Sequence, residues 1–383
     1  MDWSFLIKNK ESLNVTTDSR KVTSGSIFVA LKGEHFDGND FVDQAKAQGA
    51  EYVIAGENAL AELQDLARAW RRELEIPILA ITGTNGKTTT KELTAAVLKT
   101  KYNLYYTQGN LNNQLGVPLT LLNITRAHEM AIVEMGASHP GDIRELVEIA
   151  EPDYGLITNV GKAHLQGFGS FEGVMRTKAE LYDWLRAHNG FCFRNTDNPY
   201  LAQMAGDLKT IPYTTGTMPE CTHLVGEYNA ENVSAALCVG AYFGISQADA
   251  LAAIRAYVPS NNRSQLMQTE KNTVVVDAYN ANPTSMRAAI NAFKGNAYIL
   301  GAMRELGEYS HLEHQNIVNM LLERKADKVL LVGAEYKETT APYPIYDNVE
   351  ALCEALRQEP ISGYTILLKG SRGNQLEKVI PLL

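Results

Sequence analysis

Residues 83–90 read Gly-Thr-Asn-Gly-Lys-Thr-Thr-Thr, directly after the apolar run Ile76–Ile81 and directly before a stretch of helical character. A glycine turn, a lysine and a hydroxyl placed where a strand becomes a helix form a cradle for polyphosphate. The backbone N–H groups of the turn and the helix start converge, the helix dipole adds partial positive charge, Lys87 adds a full charge, and Thr88 offers an oxygen to Mg2+. Gly83, Thr84, Asn85, Gly86, Lys87, Thr88 and Thr89 are therefore the candidate ATP contacts. The longer form of this pattern has a glycine six residues before its lysine, where Ile81 stands, so the match is to the shorter Gly-Thr-Asn-Gly-Lys-Thr.

Further polar residues fall at the carboxyl ends of apolar runs. Glu134 closes Ile132-Val133-Glu134, and Asn159 and His164 follow the run ending near Ile157. Mg2+ prefers oxygen donors, so Glu134 and Thr88 suit it and His164 is the unusual member of a set Thr88, Glu134 and His164. Asn229 and Asn232 open a helical stretch, where their amides either read an adenine edge or act as helix caps. Lys369 and Arg372 follow the apolar run Thr365–Leu368 and suit an acyl phosphate or a carboxylate, the alternative being a solvated basic turn.

The elements that must position these residues alternate. In residues 1–76, short strands (Ser26–Leu31, Tyr52–Ala55) alternate with helices near Asp40–Gln48 and Ala59–Arg72, which predicts a small α/β domain. Residues 77–258 read strand, glycine turn, helix Thr88–Lys99, strands Asn103–Thr107 and Met130–Met135, helix Gly141–Ala150, strand Gly155–Asn159 and helix Phe171–Ala187. This is a doubly wound parallel sheet, with ligands expected beyond the carboxyl ends of its strands. After a linker at Pro259, Ser260, Asn261 and Asn262, residues 259–383 repeat the theme in a Rossmann-like α/β domain. Its strands are Thr273–Asp277, Ala297–Leu300, Val329–Val332 and Thr365–Leu368, and its helices Ser285–Phe293, His314–Lys325 and Val349–Gln358.

A chain of 383 residues exceeds one ordinary domain, and 45% apolar content lets each domain bury a core. The net charge of −9 argues against general nucleic-acid or membrane-surface binding and favours small-molecule partners. Four cysteines without a C-x-x-C pair read as reduced core thiols. No signal-peptide core and no bilayer-length apolar run is present, so a cytoplasmic enzyme, acting as a monomer, is the expectation.

Ile81-Thr-Gly-Thr-Asn-Gly-Lys-Thr88, Glu134-Met-Gly and Asn159-Val-Gly-x-x-His164 together resemble the Mur ligases, the ATP-dependent enzymes that build the peptide stem of bacterial peptidoglycan. Thr17-Asp-Ser-Arg20, Gly25-x-Ile-Phe-Val-Ala-Leu-Lys-Gly33 and Asp37-Gly38-x-x-Phe41 resemble the uridine-nucleotide domain of its tripeptide-adding and dipeptide-adding members. Three segments are similar to the dipeptide-adding member. They are Gly109-Asn-Leu-Asn-Asn113 with Gly116-Val-Pro118, Asp277-Ala-Tyr-Asn-Ala-Asn-Pro283, and Leu300-Gly-x-Met303-x-Glu305-Leu-Gly307 with His314. The Asp-Asn-Pro-Arg tetrapeptide of the tripeptide-forming member does not occur. Two departures stand out: the segment Tyr213–Gly226 is short where the family carries extra strands, so a trimmed sheet edge is expected, and Tyr228 replaces a frequent histidine.

The resemblance implies ATP and Mg2+ as cofactors, with UDP-N-acetylmuramoyl-tripeptide and D-alanyl-D-alanine as substrates. It implies that Lys178 is carbamylated, which suits a metal site because a carbamate is anionic and an ammonium is not. Ser19, Arg20, Lys32 and Gly33 then become uridine-diphosphate contacts, and Asn112 and Asn113 line the muramoyl-peptide channel. Arg263, Asp277, Tyr279, Asn280 and Asn282 approach the nucleotide, with Asn229 and Asn232 on its adenine side. Lys87, Lys178, His164 and His314 are the residues expected to act in catalysis.

Overall fold

The computed structural model describes residues 2–259 and 262–383. The linker expected at Ser260 and Asn261 lies outside the described residues. Contact density divides the chain into two compact units: Met1–Gly83, Leu98–Ile157 and Arg176–Pro212 form one, and Thr84–Val97, Thr158–Met175 and Tyr213–Leu383 the other.

Two of the three sheets belong chiefly to the first unit. Strands β1 (Val15–Thr16), β2 (Ile27–Val29) and β3 (Tyr52–Ile54) pair in parallel in that order. Helix Ala59–Leu74 follows, and Leu63, Leu66, Ala67, Trp70 and Leu74 recur at helical spacing on its buried face. Each large side chain in that stripe contributes about 1.5–3 kcal/mol by burial. Trp70 also donates its indole N–H to the Ile124 carbonyl at 2.9 Å, so its polar atom is satisfied in the core.

The central sheet comprises β4 (Ile78–Thr82), β5 (Leu104–Tyr106), β6 (Met130–Glu134), β7 (Tyr154–Ile157), β8 (Phe191–Asn195) and β9 (Thr210–Tyr213), in the order β5-β6-β4-β7-β8-β9. Every residue of β4 and β6 is buried, as strands covered on both faces require. From β4 the chain builds β5 and β6 on one side, then crosses over to β7, β8 and β9 on the other. That reversal puts the crevice of a doubly wound sheet at the carboxyl end of β4, where the glycine turn begins. β9 is the edge strand, and no helix or strand follows among residues 214–228 apart from the isolated bridge Leu224–Gln265.

The third sheet lies in the second unit. It comprises β10 (Gln265–Gln268), β11 (Thr273–Asp277), β12 (Ala297–Gly301), β13 (Lys328–Val332), β14 (Ile345–Tyr346) and β15 (Thr365–Lys369), in the order β10-β11-β15-β12-β13-β14. Alternate residues feed opposite cores. Val275, Leu300, Leu331 and Leu367 join one cluster, and Val274, Val276, Ile299, Leu330 and Leu368 the other. β10 is the departure from an all-parallel sheet: it runs antiparallel to β11. The turn at Thr269–Asn272, closed by the Asn272 N–H on Thr269 Oγ1 at 2.9 Å, is too short for the crossover a parallel pair needs.

Other expectations shift in detail. The helix expected from His314 starts at Ser310, which carries His314 inside the second turn. Helices Gly116–Leu122 and Gln247–Ala256 were not legible as separate elements. Cys192 and Cys353 are buried, but Cys221 is exposed and therefore not a core thiol. No helix among the described residues is long and apolar enough to cross a membrane.

Candidate active site

In the second unit the glycine turn is held by its neighbours. Gly86 has φ +79°, and a Cβ there would lie 2.4 Å from Asn232 Oδ1, so both conformation and space demand glycine. The segment after β7 grips the turn from another side. Thr84 N–H donates to the Asn159 carbonyl at 2.9 Å, Asn85 N–H to Asn159 Oδ1 at 3.0 Å, and Gly161 N–H to Thr84 Oγ1 at 2.9 Å. Helix Lys87–Leu98 starts at once, directing the N–H groups of its first turn back toward the glycine turn. Lys87 Nζ donates to the Thr84 carbonyl at 3.1 Å, which keeps its charge over the turn. Thr88 is buried.

Asn229 and Asn232 are the first and fourth residues of helix Asn229–Tyr242, and neither caps it. Asn229 donates to the Val225 carbonyl at 2.8 Å, Asn232 donates to Asn229 Oδ1 at 2.9 Å, and Asn232 Oδ1 accepts from the Thr90 hydroxyl at 3.0 Å. The pair thus buttresses the helix that follows the glycine turn. Tyr228, at the position of the sequence departure, bonds Ser264 Oγ at 2.6 Å, and burial pushes its phenol well above the ordinary value.

The carboxyl ends of β11 and β15 bring together several predicted residues. Lys369 is 2% exposed, so it is no solvated turn. Its ammonium bonds Asp277 Oδ2 at 2.6 Å and the Asn280 carbonyl at 3.1 Å. Two guanidinium groups approach the Tyr279 ring, with Arg263 Cζ 3.8 Å and Arg372 Cζ 5.4 Å from its centroid. Stacking against an aromatic face fixes the plane of Arg263. Asn282 caps helix Pro283–Ala292 in a reciprocal box with Ser285, and its amide also donates to Asn85 Oδ1 at 2.8 Å.

His164 and Glu305 are hydrogen-bonded side chain to side chain, and both sit at positive φ, +49° and +61°. Left-handed backbone in two non-glycine residues that meet marks a strained contact, the kind retained at functional sites. His314 is different. It is 0% exposed, Nδ1 donates to the Ser310 carbonyl at 2.7 Å and Nε2 accepts the Met303 N–H at 3.0 Å. With both nitrogens bonded to backbone, and burial holding its pKa below the ordinary value, His314 braces the segment leading to Glu305 and is not disposed to collect a proton.

In the first unit, Glu134 pairs with Ile81 across β6 and β4, six residues before Lys87 in the chain. It is 1% exposed, and Asn112 Nδ2 donates to Oε1 at 2.9 Å. Asn113 instead braces the chain entering helix Gly116–Leu122, its Oδ1 accepting the Gly116 N–H at 2.9 Å. Lys178 is 3% exposed within helix Phe171–Ala187, which removes the alternative of a solvated helix lysine. Two residues on, Glu180 accepts the backbone N–H groups of Gly141 at 3.0 Å and Arg144 at 2.8 Å, an anion at the start of helix Asp142–Ala150. Ser19 starts a short 3-10 turn. Arg20 is exposed and makes paired bonds at 2.8 Å to Asp18, which bring the Asp18 carboxyl down to about 2. Lys32 and Gly33 lie on an exposed loop closed by the Gly33 N–H on the Phe36 carbonyl at 2.9 Å.

Several residues that organise the site carried no sequence signal. Lys162, Thr284, Arg287 and Glu313 contact one another only through the fold. Thr90 gave no reason for notice among three consecutive threonines.

A glycine turn between a buried parallel strand and a helix, at the switch point of a doubly wound sheet, defines a nucleotide-binding α/β protein. Family models match in three stretches: the Mur ligase family catalytic domain over residues 13–99, the Mur ligase middle domain over 81–220, and the Mur ligase glutamate ligase domain over 262–372. The chain belongs to the Mur ligase family. It is 34% identical to the UDP-N-acetylmuramoyl-tripeptide--D-alanyl-D-alanine ligase of Bacillus subtilis strain 168, over 96% of this chain and 92% of that one. The enzyme of the same name from Escherichia coli K12 is 33% identical, over 96% and 93%. The structure of the MurF ligase from Thermotoga maritima in complex with ADP superposes with a TM-score of 0.86 at 28% identity, covering 98% of each chain. A crystal structure of MurF from Acinetobacter baumannii gives 0.85 at 28% identity, over 96% of this chain and 93% of that one.

Proposed function

We infer that this protein is an ATP-dependent amide ligase that joins D-alanyl-D-alanine to UDP-N-acetylmuramoyl-tripeptide in peptidoglycan synthesis. The observation that carries the reading is the collinear similarity to ligases of that activity over 96% of the chain. The glycine turn with its lysine, in a relative class that includes an ADP complex, supports ATP as the energy source. We assign residues 1–76 to the UDP-substrate, 77–258 to ATP and 259–383 to completion of the ligase site, and a soluble cytoplasmic monomer fits the small-molecule substrates.

In the reaction, an oxygen of the tripeptide's terminal carboxylate attacks the γ-phosphorus of ATP, the bond to the β-γ bridging oxygen breaks, and ADP leaves. The amine of D-alanyl-D-alanine then attacks the acyl phosphate carbon. Phosphate departs with the bonding pair, and the amine loses a proton as the amide forms. Two anions must meet in the first step, so the work is positioning and charge neutralisation. Thr84 and Asn85 give their amides to Asn159, so Gly86, Lys87, Thr88 and Thr89 are the donors we assign to the β- and γ-phosphates, with the Lys87 ammonium meeting the charge that develops on them. Asn229, Asn232, Arg263, Asp277, Tyr279, Asn280 and Asn282 are assigned to the nucleotide side. Ser19, Arg20, Lys32, Gly33, Asn112 and Asn113 go to the UDP-linked substrate, and Lys369 and Arg372 to the acyl phosphate or the dipeptide carboxylate.

The donor chemistry fits Mg2+: a buried carboxylate oriented by an amide in the first unit, and a buried hydroxyl at a helix start in the second. Glu134, Thr88, His164 and a carbamylated Lys178 are the residues we assign to it. When bound, Mg2+ neutralises phosphate charge.

The test is phosphate release by the purified protein with each substrate omitted in turn. Release that needs ATP, the UDP-linked tripeptide and D-alanyl-D-alanine together supports the reading. Release indifferent to the dipeptide, or none with all three, refutes it.

A further inference from the structure

Glu313 lies in the first turn of helix Ser310–Arg324 and is 1% exposed, yet two cations converge on its carboxylate. Lys162 Nζ is 3.4 Å from Oε1, the Arg287 guanidinium bonds Oε2, and Asn316 Nδ2 reaches Oε2 at 3.4 Å. A carboxylate withdrawn from water needs such compensation, and breaking a buried ion pair leaves a charge stranded. Here the partners come from two other segments, so the carboxylate fixes their relation to each other.

Those segments close a ring through the glycine turn. Asn159 holds the amides of Thr84 and Asn85, at 2.9 and 3.0 Å. Three residues on, the Lys162 N–H donates to Thr284 Oγ1 at 3.3 Å, beside Gly161, where a Cβ would stand 3.0 Å from the same oxygen. Thr284 is the second residue of the helix capped by Asn282, and Asn282 returns to Asn85 at 2.8 Å. Arg287 stands on that helix one turn after Thr284. Glu313 therefore pins both arms of the ring, the 159–164 segment through Lys162 and helix Pro283–Ala292 through Arg287.

We propose that Glu313 is a positioning residue for nucleotide binding: its carboxylate, by holding Lys162 and Arg287, sets the backbone that supports Thr84 and Asn85 in the glycine turn. It touches no substrate. The effect is transmitted through the Lys162 peptide N–H and Thr284. This proposal rests on the nucleotide reading of the turn.

The experiment compares wild type with Glu313→Gln, Lys162→Met and the double variant, by calorimetric titration with ADP and by the ATP KM and kcat of phosphate release. Each single variant is expected to weaken ADP binding by about tenfold and to raise the ATP KM in parallel, with a smaller effect on kcat. The double variant is expected to bind ADP no worse than the weaker single one, because both changes break the same link. A cluster that merely stabilises the fold lowers Tm and leaves ADP affinity within about twofold of wild type in the folded variants, and that result overturns the proposal. Should Glu313→Gln fail to fold, Lys162→Met decides alone, since the Lys162 side chain is 50% exposed and the Glu313 carboxylate keeps Arg287 and Asn316. A wild type that binds no ADP overturns the nucleotide reading, and this proposal with it.

Discussion

The Asn282 side chain does two jobs at once: its Oδ1 accepts the Ser285 N–H at 2.9 Å, and its Nδ2 donates to Asn85 Oδ1 at 2.8 Å. Asn282→Asp keeps the cap and replaces the donor to Asn85 with a repelling oxygen. Thermal stability is expected to stay near wild type while the ATP KM rises several-fold. Asn282→Ala loses both, and an added fall of about 1 kcal/mol in stability is expected from the missing cap. Paired measurements of Tm and KM check this, and an Asp variant with wild-type KM would separate Asn282 from the nucleotide.

Lys87→Met is expected to lower kcat for phosphate release by about 10²–10³, the size of effect seen when one preorganised charge donor is removed. Lys87 is only half-buried, so Tm is expected to hold. A variant that keeps a tenth of wild-type kcat, on the order of magnitude, would assign the charge neutralisation elsewhere.

Lys178 is buried within helix Phe171–Ala187, where a carbamate would supply the oxygen donors that an ammonium lacks. Lys178→Ala is expected to lose most activity and to regain part of it when a short carboxylic acid is supplied. Wild type assayed in carbon-dioxide-depleted buffer is expected to lose activity reversibly. No rescue of the variant, together with no dependence of wild type on carbon dioxide, would argue that the lysine acts unmodified.

His314 gives the protein a pH-sensitive contribution to stability. Burial lowers its pKa from 6.5, so below that value the unfolded chain takes up a proton that the folded chain resists. The contribution is fully present above the unfolded value and is lost as pH falls from about 6.5 through the folded pKa. Replacing it with a non-titrating residue, His314→Gln, is expected to flatten this acid-side slope in denaturant titrations at a series of pH values. It also leaves the Met303 N–H to find a new acceptor. An unchanged slope would show that His314 is not the group responsible.

The glycine turn was legible because its chemistry is contiguous: turn, charge and hydroxyl occupy neighbouring positions, and the apolar run before them can only be a strand. Glu134 was legible because an acid that ends an apolar strand has few structural uses. Lys369 stands out in the sequence only as a basic residue after a strand, and its buried partner Asp277 lies 92 residues away, a distance over which no spacing rule speaks. Glu313 and Lys162 are 151 residues apart and were invisible for the same cause. β10 was missed because an edge strand that alternates half-buried and exposed residues lacks the apolar run that marked its neighbours. His314 draws notice in the sequence because imidazole is the usual proton carrier, and its two bonds to backbone, to Ser310 and Met303, lie beyond what spacing can show.

Activation of a carboxylate by phosphoryl transfer is the step that makes this protein a ligase, and oxygen-isotope transfer tests it directly. UDP-linked tripeptide labelled with oxygen-18 in its terminal carboxylate, incubated with ATP, D-alanyl-D-alanine and the protein, is expected to deliver one labelled oxygen to phosphate for each amide formed. Amide formation with wholly unlabelled phosphate would contradict an acyl phosphate and the assignment of the glycine turn to its formation.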